Sequence, residues 1–237
     1  AKLKSQEYTH KLPELILESV KSAISKIQPV HVSIGNVQET SISFNRRFLM
    51  KDGTFKTNPG KLNPNIVRPA GPIDPSLSMV YFESLDKKPV AILVNFALHV
   101  AVVGGNNFSS DFPGVMSDLI GKVKGEEVVT VFTNGTSGNI NHIDVSNSNQ
   151  LSGFDESQRI GTILADRVLN ALNSLRPISI TSLKAKIQVV NLPVFKVVEK
   201  LEMIWAKDVI SKFGKPKGSG FADVVSAWRI LDLVKYK

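Results

Sequence analysis

Residues 90–144 hold most of the side chains in this chain that could do chemistry: His99, Asp111, Gly135, Gly138, Asn139, Asn141 and His142. A neutral imidazole can offer one ring nitrogen to a metal ion while an acceptor fixes the other, so His99 reads either as a ligand or as a structural histidine at a strand end. Asp111 stands before a helical pattern that begins at Val115, where a carboxylate can cap backbone N–H groups. Gly135 and Gly138 permit backbone conformations that aim N–H groups into a cavity, a cradle for an oxyanion or a phosphate. No G-K-[ST] follows, so this is not a phosphate-binding P-loop. Asn139 and Asn141 carry amides that can donate to a developing oxyanion or orient a water, and neither can act as a nucleophile or general base. Upstream, Arg46 and Arg47 bring planar guanidinium groups, which read either as a clamp for a carboxylate or phosphate or as a surface ion pair.

Two apolar runs carry these residues, 90–96 and 128–132, and each breaks into a loop dense in Gly, Asn, Ser, His and Asp. Continuous apolar runs bounded by turn residues read as strands buried on both faces, and open α/β sheets place their ligands at such strand ends. Around them the spacing predicts a helix over 13–27 with Pro13 in its first turn, and strands over 30–34 and 79–82. Residues 52–75, rich in Pro, Gly and Asn, read as a long irregular segment that could cover the site. A helix is expected over 156–175, a bent strand over 178–190, and two helices over 196–213 and 221–236 separated by G-K-P-K-G-S-G. The whole reads as one α/β domain over 1–237, with a mixed central sheet flanked by helices.

Composition narrows the chemistry. With no Cys in 237 residues, a disulfide framework and a thiolate metal site are excluded, so a metal would be held by His, carboxylate, phenolate or water. The net charge of +8 favours anionic partners, but Lys and Arg are spread along the chain without a basic block interleaved with aromatics, so nucleic acid is not the expected partner. No apolar run reaches the roughly 20 residues that span a bilayer, and the first residues show no signal-peptide pattern.

The order and spacing of several of these segments resemble the neutral, non-lysosomal ceramidase family of zinc-dependent amidohydrolases. The resemblance rests on N-F-A-L-H at 95–99, S-S-D-F-P-G at 109–114 and G-N-I-N-H at 138–142, with N-R-R at 45–47 and D-P at 74–75 upstream in the right order. It implies that His99 is a zinc ligand, that Asp111 supports the site without being a ligand, and that Arg46 enters the pocket. Two departures stand out. The family reads G-D-x-S-P-N in the third segment, so Asn139 takes the Asp place, Asn141 the Ser place and His142 the Pro place. The family also draws a further His from before a helix like 13–27, and a Glu and a Tyr from beyond a segment like this one, none of which has a counterpart here.

The resemblance therefore implies a zinc-dependent hydrolase of an acyl amide or ester, ceramide-like or related. Metal-activated water is the expected nucleophile, and His142 or an acidic group handles protons. Gly138, Asn139 and Arg46 would contact the substrate, and Asn141, His142 and Asp111 would serve the reaction. The sequence reads as an internal portion of a longer enzyme that brings about one zinc ligand, His99, of several. A small-molecule or lipid substrate is expected, with peripheral membrane contact and a secreted, periplasmic or membrane-peripheral setting as further expectations from the family. The competing reading is a non-catalytic protein that binds an anionic lipid or glycan head group.

Overall fold

The computed structural model of the chain describes residues 2–179, 182, 184–193, 199–215, 218 and 220–235. In chain order the elements are α1 (Lys2–Ser25), β1 (Val30–Gln38), β2 (Phe44–Asn45), β3 (Arg47–Met50), β4 (Phe55–Thr57), β5 (Ile66–Pro69), β6 (Ser76–Ser84) and β7 (Pro89–Phe96). There follow α2 (Asp111–Lys124), β8 (Val129–Asn134), β9 (Ile140–Asn141), α3 (Gly153–Ala171), β10 (Arg176–Ile178), α4 (Glu199–Ser211) and α5 (Phe221–Lys235). By contacts the chain divides into two compact units, Ala1–Ser182 and Leu183–Lys237, where the sequence reads as one domain.

The first unit is built on a five-stranded mixed sheet in the order β10-β1-β6-β7-β8. The register is antiparallel from β10 through β7, as in Val32 opposite Phe82 and Val80 opposite Leu93. Only β7 and β8 run parallel, with Ile92 opposite Thr130, because α2 carries the chain back over the sheet between them. The mixed α/β architecture expected from sequence is what the chain adopts. Strand alternation sends Leu77, Met79, Ile92, Val94 and Phe96 to one face, all 2% exposed or less. There they pack with Phe112, Met116 and Ile120 of α2 and Ile160, Leu164 and Val168 of α3. Each such side chain contributes about 2 kcal/mol through burial. Gly161 lets α3 approach α2 closely, since a Cβ there would stand 2.5 Å from that of Val115 and 2.8 Å from the Phe112 carbonyl oxygen.

Four expectations are corrected. β7 and β8 are not buried on both faces: Leu93 is half-buried and Val129 and Val131 are exposed, because α2 and α3 cover only one side of the sheet. The helix expected over 13–27 begins eleven residues earlier, at Lys2, with Pro13 inside it. Its apolar face, including Ile16, Val20 and Ile24, is exposed. Residues 52–75 are not structureless. They supply β4 and β5, which flank β3 in a three-stranded sheet whose edge position tolerates Pro69. The strand expected over 178–190 is confined to β10, and the rest of that span is coil or lies outside the described residues.

In the second unit Ala206 and Val209 of α4 pack with Val224 and Ala227 of α5. The expected stretches 196–198 and Tyr236, like much of the intervening Gly-rich linker, lie outside the described residues. Among the described residues no helix is long and apolar enough to cross a membrane.

Candidate functional site

The loop leaving β8, residues 135–142, collects the side chains singled out from sequence. It returns to the upstream chain through the short ladder of β2 with β9, in which Phe44 faces Asn141 and Asn45 faces Ile140. Gly135 is needed for close approach: its N–H donates to the Phe96 carbonyl at 2.9 Å, and a Cβ would stand 3.1 Å from the Ala97 backbone. Neither Gly135 nor Gly138 adopts a left-handed φ, so the loop does not depend on the conformational freedom expected of them. Residues 137–140 close a turn through the Ile140 N–H to the Ser137 carbonyl, 2.8 Å.

His99 lies against this turn. Its backbone N–H donates to the Ile140 carbonyl at 3.3 Å, and its Nδ1 lies 2.7 Å from the Ser137 carbonyl oxygen. A carbonyl only accepts, so Nδ1 carries the proton and Nε2 keeps the lone pair. The ring is half-buried. Ser137 was not singled out from sequence, and its contribution is a main-chain oxygen that no residue type reveals.

Arg46 binds the same turn. Its N–H donates to the Asn139 carbonyl at 2.8 Å and its Nη2 to the Gly138 carbonyl at 2.7 Å, while Nε is buried without a partner among the described residues. The peptide N–H groups of Gly138 and Asn139 donate to no protein acceptor among the described residues. Asn141 is 7% exposed, and its amide donates to Asn58 Oδ1 at 2.9 Å and accepts from the Ile143 N–H at 3.1 Å. These bonds hold the β9 end against the turn at Asn58, whose φ of 49° is left-handed.

Asp111 is the first residue of α2, with Ser110 as its cap, and it holds a left-handed φ of 53°. Its carboxylate accepts three backbone N–H groups, from Val102 at 2.8 Å, Val103 at 3.0 Å and Phe112 at 2.6 Å. The residue therefore pins the loop that follows His99 to the start of α2, more than a simple helix cap would.

His142 is half-buried, and its main-chain carbonyl accepts from Gln150 at 2.5 Å. Gln150 also donates to Glu156, a fully buried carboxylate that Arg159 grips at 2.8 and 2.7 Å. Burial lowers the imidazole of His142 below the ordinary 6.5, against the opposing pull of Glu156 and Asp111. Burial alone would raise the Glu156 carboxyl, but the bonds from Arg159 and Gln150 outweigh it and hold it below 4.5. The E-x-x-R spacing on one helix face was the available sequence signal for this pair.

These shifts set a pH dependence. The unfolded chain takes up a proton on His142 near pH 6.5 and the folded protein only at lower pH, so the stability carried by the neutral ring is complete above that value. It is lost as pH falls through the folded value. Glu156, lowered from 4.5, adds a second loss below that pH. Urea midpoints measured from pH 8 down to about pH 2 should fall in two steps, and His142→Gln should remove the upper step alone. An unchanged upper step would assign it elsewhere.

On the far side of β2 lies an apolar pocket of about 560 Å³, walled by Phe44, Phe48, Ile66, Val67, Ile73 and Val145. Phe44 and Asn45 of β2, the strand paired with β9, and Asp144, Val145 and Ser146, which follow His142 in the chain, are among its lining residues. A cavity of this size accommodates an acyl chain or a drug-sized molecule.

A catalytic zinc site requires three protein ligands and an open position. Among the described residues no group of three His, Cys, Asp or Glu could hold a metal ion. His99 offers one lone pair, and the described residues do not by themselves make a zinc site.

No protein-family model matches the chain. No curated protein matches it either. Among solved structures, the neutral ceramidase from Pseudomonas aeruginosa is similar at 19% identity with a TM-score of 0.50, over 65% of this chain and 24% of that one. A ceramidase complexed with C2 is similar at 20% identity and a TM-score of 0.50, over 63% of this chain and 23% of that one. The chain thus spans about a quarter of these proteins' length. At this identity the likeness is one of fold.

Proposed function

We propose that the chain is part of a hydrolase of acyl amides or esters, related to the ceramidases whose fold it shares. The observation that carries the reading is His99: the Ser137 carbonyl fixes its tautomer and leaves Nε2 as a base beside a turn whose next two peptide N–H groups have no protein acceptor. The acyl chain lies in the apolar pocket beside β2. The carbonyl oxygen faces the Gly138 and Asn139 N–H groups and the remaining guanidinium N–H groups of Arg46, donors that strengthen as the oxygen becomes an oxyanion. A water held at Nε2 of His99 adds to the acyl carbon, and its proton passes by imidazole to the leaving nitrogen or oxygen as the C–N or C–O bond breaks. His142, neutral at pH 7, is the second imidazole available for that transfer. Asn141 and Asp111 hold the two loops in place. Zn²⁺ enters this proposal only as an ion to which His99 would give one ligand, the others lying outside the described residues, and the steps above do without it.

A second reading has one observation in its favour. The absence of a three-ligand group among the described residues suits a protein that binds an acyl lipid or its anionic head group without turnover. Assaying the full-length protein on N-acyl amides and esters of increasing chain length, with and without chelator, separates the two. The hydrolase reading expects turnover that rises with chain length, and binding without turnover would favour the second. In the hydrolase, Val145→Trp should fill the pocket and lower kcat/KM for a long acyl chain by about tenfold, equivalent to 1.4 kcal/mol, while sparing an acetyl substrate. Equal losses on both substrates would remove the pocket from the acyl path.

A further inference from the structure

At the opposite end of the sheet from His99 lies a second cavity, of about 470 Å³ and polar in its lining. The register of β1 with β6 sets His31 opposite Glu83 and Ser33 opposite Tyr81. Alternation puts all four on the face that α2 and α3 cover, in line with the buried Leu77 and Met79. Lys124, in the last turn of α2, and Lys87, in the turn between β6 and β7, line the same cavity. Lys87 holds a left-handed φ of 63°. Since β7 runs for eight residues from this turn toward His99, the two sites stand about 25 Å apart.

Tyr81 is the informative residue. It is 7% exposed and lines the cavity, and its hydroxyl is not among the buried polar atoms left without a partner, so it reaches the cavity rather than being sealed in the core. An accessible phenol at the cavity wall is free to donate to an acceptor that enters the cavity. Burial, and then the charge of Glu83, raise this phenol above 10.0, so it stays protonated and can only gain by donating. Two ammonium groups and the Ser33 hydroxyl share the cavity with it, and among the described lining residues Glu83, opposite His31, is the one carboxylate.

We propose that this cavity binds a small phosphate monoester, with the phosphoryl oxygens at Lys87, Lys124, Tyr81 and Ser33 and a hydroxyl or amino group of the ligand donating to Glu83. Four donors exceed what the two oxygens of a carboxylate accept comfortably, and lysines bind phosphate as point charges. The Lys124 charge also offsets the negative end of the α2 dipole, which would otherwise repel an anion.

The test is titration of ¹⁵N-labelled protein with glycerol 3-phosphate, with glycerate as the carboxylate counterpart. Saturable shifts in the amides of Ser33, Tyr81, Lys87 and Lys124 are expected, with glycerate at least fivefold weaker. Tyr81→Phe keeps the ring and should weaken the phosphate ester about tenfold, as should Lys124→Gln. His99→Ala should leave this affinity unchanged, so failure here and failure of the hydrolase reading are separable. Saturation by neither compound, tighter binding of glycerate, or equal affinity in Tyr81→Phe and the unaltered protein would overturn the proposal.

Discussion

Replacing His99 with Ala is expected to lower kcat for acyl hydrolysis by about 10²–10⁴-fold, the range that a positioned base contributes. The same change should cost the fold about 1 kcal/mol, because a single bond to the Ser137 carbonyl is lost from a half-buried ring. The separation between these two effects is what distinguishes a functional imidazole from a structural one. A histidine that only tied the strand end to the loop would lose stability and leave kcat/KM of the folded fraction unchanged. His99→Asn refines the comparison, since its short amide can keep a bond to the turn while lacking a ring nitrogen at the Nε2 position.

Asp111→Ala is expected to act in the opposite proportion. It strands the N–H groups of Val102, Val103 and Phe112, now accepted by one carboxylate, and it places Ala at a φ of 53°. Unsatisfied buried donors and a left-handed Ala together should destabilise the first unit by about 4 kcal/mol, read as a fall in the urea midpoint. Asp111→Asn should lose about half as much, because Asn tolerates the left-handed region and its one amide oxygen can still accept from the Val102 and Val103 side. Activity should fall with the loop that follows His99 and recover in part in the Asn variant. If Asp111 instead handled protons, Asn would be as inactive as Ala while remaining stable.

The strands that carry His99 and the 135–142 loop were legible because apolar runs ending in Gly and Asn leave little room for another reading. The convergence of Arg46, His99 and Asn139 on one turn was legible only through the resemblance of the ordered motifs. What the sequence withheld was mostly main-chain chemistry and long-range pairing. The Ser137 carbonyl that fixes the His99 tautomer has no side-chain signature, and Asn141 finds its partner in Asn58 across a stretch that reads as loop. Glu39, 1% exposed at the end of β1, is held by Ser41 and by Arg167 of α3, a pairing no local pattern indicates. The segment 52–75 hid β4 and β5 because its Pro and Gly residues fit turns as well as they fit the edges of a small sheet. Periodicity correctly marked an apolar face on α1 but could not say that nothing among the described elements would cover it.

The most direct test is a crystal structure of the full-length protein with a long-chain alkyl phosphonate, whose tetrahedral oxygens mimic the addition intermediate. The account predicts one phosphonyl oxygen about 3 Å from the peptide N–H of Gly138 or Asn139 and another at Nε2 of His99, with the alkyl chain between Phe48 and Ile66. A phosphonate seated away from the 135–142 loop, with the His99 ring touching none of its atoms, would contradict it.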